Sequence, residues 1–302
     1  MAMMLVAGVD VGGTRIKSML SDLDGSVVLS HTASTPPRPG DSIVEVIAET
    51  VATLVQRARA DGITAPLAAV GAVVPGLVDE VNGMAAWSAN LGWRDLPLRD
   101  RLQERFDVPV AIGHDVRAGL LAEFRLGAAQ GSPDALFVPL GTGIASALLA
   151  GGQVVAGSEW TGEIGHVVVE PDGPPCGCGR LGCLEAVASA AALGRAWNAL
   201  GRDGDAETLS RAVEDGDHEA IRLWEGAIDA LVRVMAPVCA AAGTRLVLVG
   251  GGLALAGATL LDPLRDRLVR ALGHDRITVT QAALGDRAGA LGATLLAMEA
   301  IA

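Results

Sequence analysis

The sequence predicts an α/β protein of two domains. Strands and helices alternate along the chain. A block of strand, glycine turn and strand near residue 10 returns near residue 140. The 302 residues, half of them apolar, give material for a large core and for a second domain. Tyr is absent and Phe occurs three times, so that core is built from Leu, Val and Ala. The formal net charge of −12 makes the chain a poor binder of nucleic acid or of an anionic membrane. No apolar run reaches the ~18 residues of a membrane span. Residues 234–242 are apolar but short, and Pro237 interrupts them. The first five residues are too few for a secretory leader, so a soluble cytoplasmic protein is expected.

Taken in order, residues 5–11 read as a buried strand ending near Asp10, and Gly12-Gly13-Thr14 as a tight turn. Strands 16–20 and 26–30 follow, joined by a turn over 21–25. Such a hairpin tip exposes backbone N–H groups that suit a phosphate, although a Gly-Gly-Thr turn is more often only a turn. Asp10 beside it strengthens the phosphate reading, since a carboxylate there can hold Mg²⁺ through water. Residues 36–40 form a loop. Ile43, Val46, Ile47, Val51, Leu54 and Val55 recur at helical spacing and predict a helix over 42–61. Strand 67–74 closes at Pro75-Gly76, and 79–83 is a hairpin turn. Helix 96–106 and strand 108–112 come next.

That strand runs into Gly113-His114-Asp115, and Asp115 opens helix 116–126 as an N-cap would. A plain cap is one reading. The other is a ligand site, because the carboxyl end of a strand in an open α/β sheet is where ligands bind. Strand 135–140, Gly141-Thr142-Gly143, strand 144–150 and strand 153–156 repeat the first block. Helix 184–200, helix 206–214 between the solvated turns 203–205 and 215–217, and helix 218–242 with a kink at Pro237 follow. Strand 245–249 feeds Gly250-Gly251-Gly252, where glycines between strand and helix let a nucleotide approach the backbone. Helix 254–272, strand 277–282 and helix 287–300 complete the chain.

Between strand 153–156 and helix 184–200 lies a Gly- and Pro-rich loop holding Glu163, His166, Cys176, Cys178, Cys183 and Glu185. Three of the four cysteines are here, and their spacing suits a tetrahedral metal better than a disulfide. With His166 as fourth ligand the set is Cys₃His, a closed structural zinc arrangement with no position left for water. Free thiols, or one disulfide with a thiol over, are the alternatives. Cys239, in an Ala-rich run, reads as a small buried hydrophobe.

Glu163-x-x-His166 followed by Cys176-x-Cys178-Gly179-x-x-Gly182-Cys183-x-Glu185 resembles the signature of the ROK family of sugar kinases and sugar-responsive repressors. Asn90-Leu91-Gly92-Trp93 resembles it too, so the likeness runs from about Gly8 to about Ala297. The resemblance implies the actin-like ATPase and hexokinase fold, which is ribonuclease H-like, with a cleft between domains 1–114 and 115–286 and with residues 287–302 packing back on the first. It implies ATP-dependent phosphorylation of a hexose, glucose at the 6-hydroxyl foremost, by a homo-oligomer, dimer or tetramer. Asp115 is then the base. Asn90, His114, Asp115, Glu163, His166 and Glu185 hold the sugar. Asp10, Gly12, Gly13, Thr14, Gly141, Thr142, Gly143, Gly250, Gly251 and Gly252 hold ATP with Mg²⁺. His166, Cys176, Cys178 and Cys183 hold Zn²⁺.

Two departures stand out. His114 replaces an Asn of the family pattern, which bears on sugar identity, and Ala145-Ser146 replace Gly-Gly after the second turn. Kinases for N-acetylmannosamine, N-acetylglucosamine or another hexose are rival readings, as is polyphosphate in place of ATP. A sugar-binding protein without activity is another. A repressor is disfavoured by the charge and by the lack of room before Asp10 for a winged helix.

Overall fold

The computed structural model describes residues 4–302. In chain order its elements are β1 (Leu5–Val11), β2 (Arg15–Asp22), β3 (Val27–Ser34), α1 (Ile43–Ala60), β4 (Leu67–Val74), β5 (Leu77–Asp79), β6 (Met84–Ser88), β7 (Trp93–Leu96), α2 (Leu98–Gln103), β8 (Val110–His114) and α3 (Asp115–Leu126). There follow β9 (Ala135–Pro139), β10 (Ala147–Ala150), β11 (Gln153–Val154), α4 (Leu184–Ala188), α5 (Ala190–Ala199), α6 (Ala206–Glu214), α7 (His218–Ala242), β12 (Leu246–Gly250), α8 (Ala258–Leu272), β13 (Thr278–Gln281) and α9 (Ala288–Glu299). They form two compact units, one of residues 1–125, 156–161 and 286–302, the other of 126–155 and 162–285. Helix α3 thus clusters with the first unit, whereas the sequence reading began the second domain at 115.

The first unit is built on a sheet of order β3-β2-β1-β4-β8. Its central strands are apolar almost without a break because both faces are covered. Leu5, Ala7, Val9 and Val11 join Val70, Ala72 and Val74 in a core with α1, while Val6, Ala69 and Val73 turn the other way onto Ala293 and Ala297 of α9. Alanines on α9 let its axis approach the sheet closely. A separate three-stranded sheet, β5-β6-β7, has its first hairpin at the turn expected over 79–83 and takes in the Trp87–Trp93 region.

The second unit repeats the plan with order β11-β10-β9-β12-β13. In both sheets a three-stranded antiparallel meander continues into two parallel strands, β1 to β4 to β8 and β9 to β12 to β13. Leu136, Val138, Val247 and Val249 meet Trp197, Trp224, Leu231 and Leu264 from the helices. Cys239 is buried in that packing, as expected.

Several boundaries differ from the sequence reading. Helix 96–106 shrinks to Leu98–Gln103, since Leu96 is still pairing in β7. Strand 108–112 starts and ends two residues later, at Val110–His114. Helix 184–200 breaks at Ser189, whose extended backbone lets its hydroxyl accept from the Ala192 N–H and cap α5. Strand 144–150 keeps only Ala147–Ala150. The helix expected over 218–242 has those bounds, His218–Ala242, with Pro237 inside it. Asp205 and Asp217 do more than face solvent, for each accepts two backbone N–H groups and caps α6 or α7.

Candidate active site

In the first unit, three features named from the sequence are positioned by strand ends. Asp10 pairs with Lys17 across β1 and β2, and its carboxylate lies over Gly289 in the first turn of α9. Burial pushes the Asp10 carboxyl up to about 6, against the pull of Lys17 and with the push of Asp286. Lys17 Nζ donates to the Asp286 carbonyl at 2.7 Å. The turn at Gly12-Gly13-Thr14 is closed by Gly12 N–H to Arg15 O at 2.9 Å and anchored by the Thr35 hydroxyl on Gly12 O at 2.7 Å. Its Gly13 and Thr14 are exposed. Asn90 is exposed in the turn between β6 and β7.

His114 is the last residue of β8 and Asp115 the first of α3. The Val116 N–H donates to Asp115 Oδ1 at 2.8 Å and to His114 Nδ1 at 3.2 Å. An Nδ1 that accepts carries no proton, so the ring is the neutral Nε2–H form. Burial, helped by the charge of Arg117, lowers His114 to about 3, which agrees. The 3.5 Å approach of its Nδ1 to Asp115 Oδ1 is therefore two acceptors sharing one N–H, not an ion pair.

In the second unit the two remaining glycine segments sit side by side at the carboxyl ends of β9 and β12. Leu140 donates to Gly250 O at 2.9 Å and Leu253 donates to Leu140 O at 3.0 Å. Gly250-Gly251-Gly252 leads into a 3₁₀ turn, Gly252–Ala256, rather than straight into α8. Glu185 lies on the other glycine turn. Its Oε2 accepts from the Ile144 N–H at 3.0 Å and sits 2.4 Å from where a Cβ on Gly143 would be, so only glycine fits there. Ser146, one of the departures, is buried and donates to the Gly162 carbonyl through its N–H at 2.7 Å and its hydroxyl at 3.2 Å. A glycine could make only the first bond.

Glu163 and His166 occupy the next turn, with His166 Nε2 3.7 Å from Glu163 Oε2. The ring's other nitrogen meets the cysteines. The ligand atoms of His166, Cys176, Cys178 and Cys183 all lie within 4.8 Å of one another. Cys176 Sγ is 3.6 Å from His166 Nδ1 and Cys178 Sγ is 3.6 Å from Cys183 Sγ. Bond lengths of ~2.3 Å to sulfur and ~2.0–2.1 Å to nitrogen give tetrahedral edges of roughly 3.8 and 3.6 Å, so both separations fit a common zinc ion. The sulfurs are far beyond the ~2.05 Å of a disulfide. Arg180 Nε donates to Cys178 Sγ at 3.5 Å. Although burial opposes it, that contact holds the Cys178 thiol down at about 7 and favours the thiolate. The loop is tied by Gly182 N–H to Pro174 O at 2.8 Å, and at Gly182 (φ +62°) a Cβ would fall 1.4 Å from Glu170 O.

The ROK family model matches residues 6–300. The chain belongs to the ROK family. It is 34% identical to a glucokinase of Thermotoga maritima over 97% of each chain, and 29% identical to an N-acetylmannosamine kinase of Escherichia fergusonii over 97% of this chain and 98% of that one. A crystal structure of a ROK family glucokinase from Streptomyces griseus in complex with glucose and AMPPNP superposes with a TM-score of 0.81 at 31% identity, covering 98% of this chain and 99% of that chain. The fold is accordingly the actin-like, hexokinase type.

Two residues of this ROK chain escaped the sequence reading. Glu80, in the turn after β5, pairs with Arg117 on α3 at 2.8 Å. Arg117 carried a signal, for a charge on an otherwise apolar helix face two residues after Asp115 must find a buried partner. Nothing in the sequence names Glu80 as that partner.

Proposed function

We propose that this ROK protein transfers the γ-phosphoryl group of ATP to the 6-hydroxyl of a hexose, with glucose as its substrate. The observation that carries the reading is full-length similarity to glucokinases together with Asp115 at the carboxyl end of β8. Asp115 accepts the hydroxyl proton as the sugar oxygen bonds to the γ-phosphorus and the bond to the β-phosphate oxygen breaks, leaving ADP. Glu163, His166, Glu185 and Asn90 orient the sugar, and His114 in its Nε2–H form is a donor where the family pattern has an amide. The turns at Gly12–Thr14 and Gly141–Gly143, with Gly250–Gly252, supply N–H groups for the nucleotide phosphates. Phosphoryl transfer depends mainly on such positioning and charge neutralisation. Mg²⁺ carried with ATP would shield the phosphate charge, and Asp10 is the carboxylate that would hold it through water.

Zinc is structural in this reading. His166 Nδ1 with Cys176, Cys178 and Cys183 would hold the ion, and Nε2, 3.7 Å from Glu163, would then tie the ring to one sugar ligand. Among the described residues no helix is long and apolar enough to cross a membrane. We place the enzyme in the cytoplasm as a homo-oligomer. The N-acetylmannosamine kinase relative and His114 favour one second reading, an N-acetylated hexosamine as substrate.

The test is a panel of hexoses and N-acetylhexosamines with ATP and Mg²⁺ in a coupled ADP assay, run beside Asp115→Asn. Glucose should be turned over, and the variant should lose about 10²–10⁴-fold in kcat with sugar affinity by calorimetry retained. ADP release from none of the sugars would refute the kinase reading.

A further inference from the structure

One carboxylate oxygen holds the chain on both sides of Asp115, through a backbone N–H before it and a side-chain N–H after it. Glu80 Oε1 accepts from the His114 N–H at 2.8 Å and from Arg117 Nε at 2.8 Å. The residue before Asp115 and the residue two after it therefore hang from the same atom. Arg117 is itself fixed at its far end, with its two terminal nitrogens on Val78 O at 2.9 Å and Thr161 O at 3.1 Å. Its side chain is 4% exposed and that of Glu80 24% exposed, so the charged bonds are largely shielded from water.

We propose that Glu80, acting through His114 and Arg117, is a positioning residue that sets the orientation of Asp115. Asp115 sits where a strand becomes a helix, and neither ladder alone fixes that junction. The His114 backbone is paired to Val74 on one side, and the Glu80 clamp holds it against the first turn of α3. Glu80 also neutralises Arg117, whose charge would otherwise stand uncompensated beside the base. The inference rests on the reading of Asp115 as the general base.

Glu80→Gln keeps the side-chain shape and one acceptor but loses the charged grip on Arg117. Glu80→Gln/Arg117→Met removes both charges, so no unpaired buried cation threatens the fold. Both should lower kcat by about 10- to 100-fold, the scale of a small misplacement of a reacting group. Sugar affinity by calorimetry should stay near that of the parent protein in both, while Tm should fall in Glu80→Gln, which leaves Arg117 buried without its counter-charge, and fall less in the double variant. The decisive arm is a double-mutant cycle. In an Asp115→Asn background, Glu80→Gln should cost nothing further in single-turnover rate, because the group it positions is already gone. An unchanged kcat for Glu80→Gln would overturn the inference. So would an equal loss in the Asp115→Asn background, or loss of Tm and sugar affinity together in both variants. A fully active Asp115→Asn would remove the base reading itself, without reference to Glu80.

Discussion

Asp10→Asn should stabilise the protein while disabling it. In the folded chain burial lifts the Asp10 carboxyl from 3.8 to about 6. At one pH unit per 1.36 kcal/mol, that shift is worth roughly 3 kcal/mol. Below pH 3.8 both states are protonated and the site costs nothing. Between 3.8 and about 6 the unfolded chain releases its proton while the native chain keeps it, so stability falls as pH rises. Above about 6 the native carboxylate is charged and the full penalty remains. An amide carries no charge at any pH. Urea unfolding of the two proteins, without Mg²⁺, should therefore show Asp10→Asn gaining on the parent as pH rises from 4 to 7, by up to ~3 kcal/mol. Taking the difference cancels the thiols and histidines, which titrate in both. The same carboxyl should give the parent's activity an acidic limb near pH 6 that moves lower with added Mg²⁺. A difference in stability that does not change with pH, or a variant less stable at pH 7, would refute this account of Asp10.

The Cys₃His cluster should return close to one zinc per chain by elemental analysis, and Cys178→Ala or Gly182→Ala should lose metal and stability together. Full titration of all four thiols in the folded protein would refute it. Glu185→Gln replaces a charged acceptor on the Ile144 N–H with a neutral one, so stability should fall by about 1 kcal/mol, with KM raised for sugar and for ATP in steady-state assays. Ser189→Ala should cost about 1 kcal/mol in a urea titration through loss of the α5 cap, with kcat unchanged.

The central strands β1, β4, β9 and β12 were legible in the sequence because they are buried on both faces and read as unbroken apolar runs. The Cys₃His cluster was legible because its four donors lie in one short loop. What could not be read depended on partners distant in sequence. Glu185 gives no sign that it rests on Gly143 and Ile144, 41 residues away. The break at Ser189 was hidden by strong helical propensity on both sides, and only the buried hydroxyl bonded to the Ala192 N–H decides for a new cap. Of the β5-β6-β7 sheet only the first hairpin turn, 79–83, was read, since its strands are three to five residues long, too short for alternation to register.

Helix α9 has a bearing on how the chain matures. It covers Val6, Ala69 and Val73 of the first sheet, and Lys17 reaches Asp286 across 269 residues. During synthesis the second unit, apart from residues 156–161, emerges without interruption and can acquire its core while translation continues. The first sheet must wait, one apolar face open, until α9 has left the ribosome. Contacts of such long range close slowly. The nascent protein thus passes through an interval in which β1 and β4 lack the cover that α9 gives them, and a truncation before α9 would expose those strands rather than the core of the second unit.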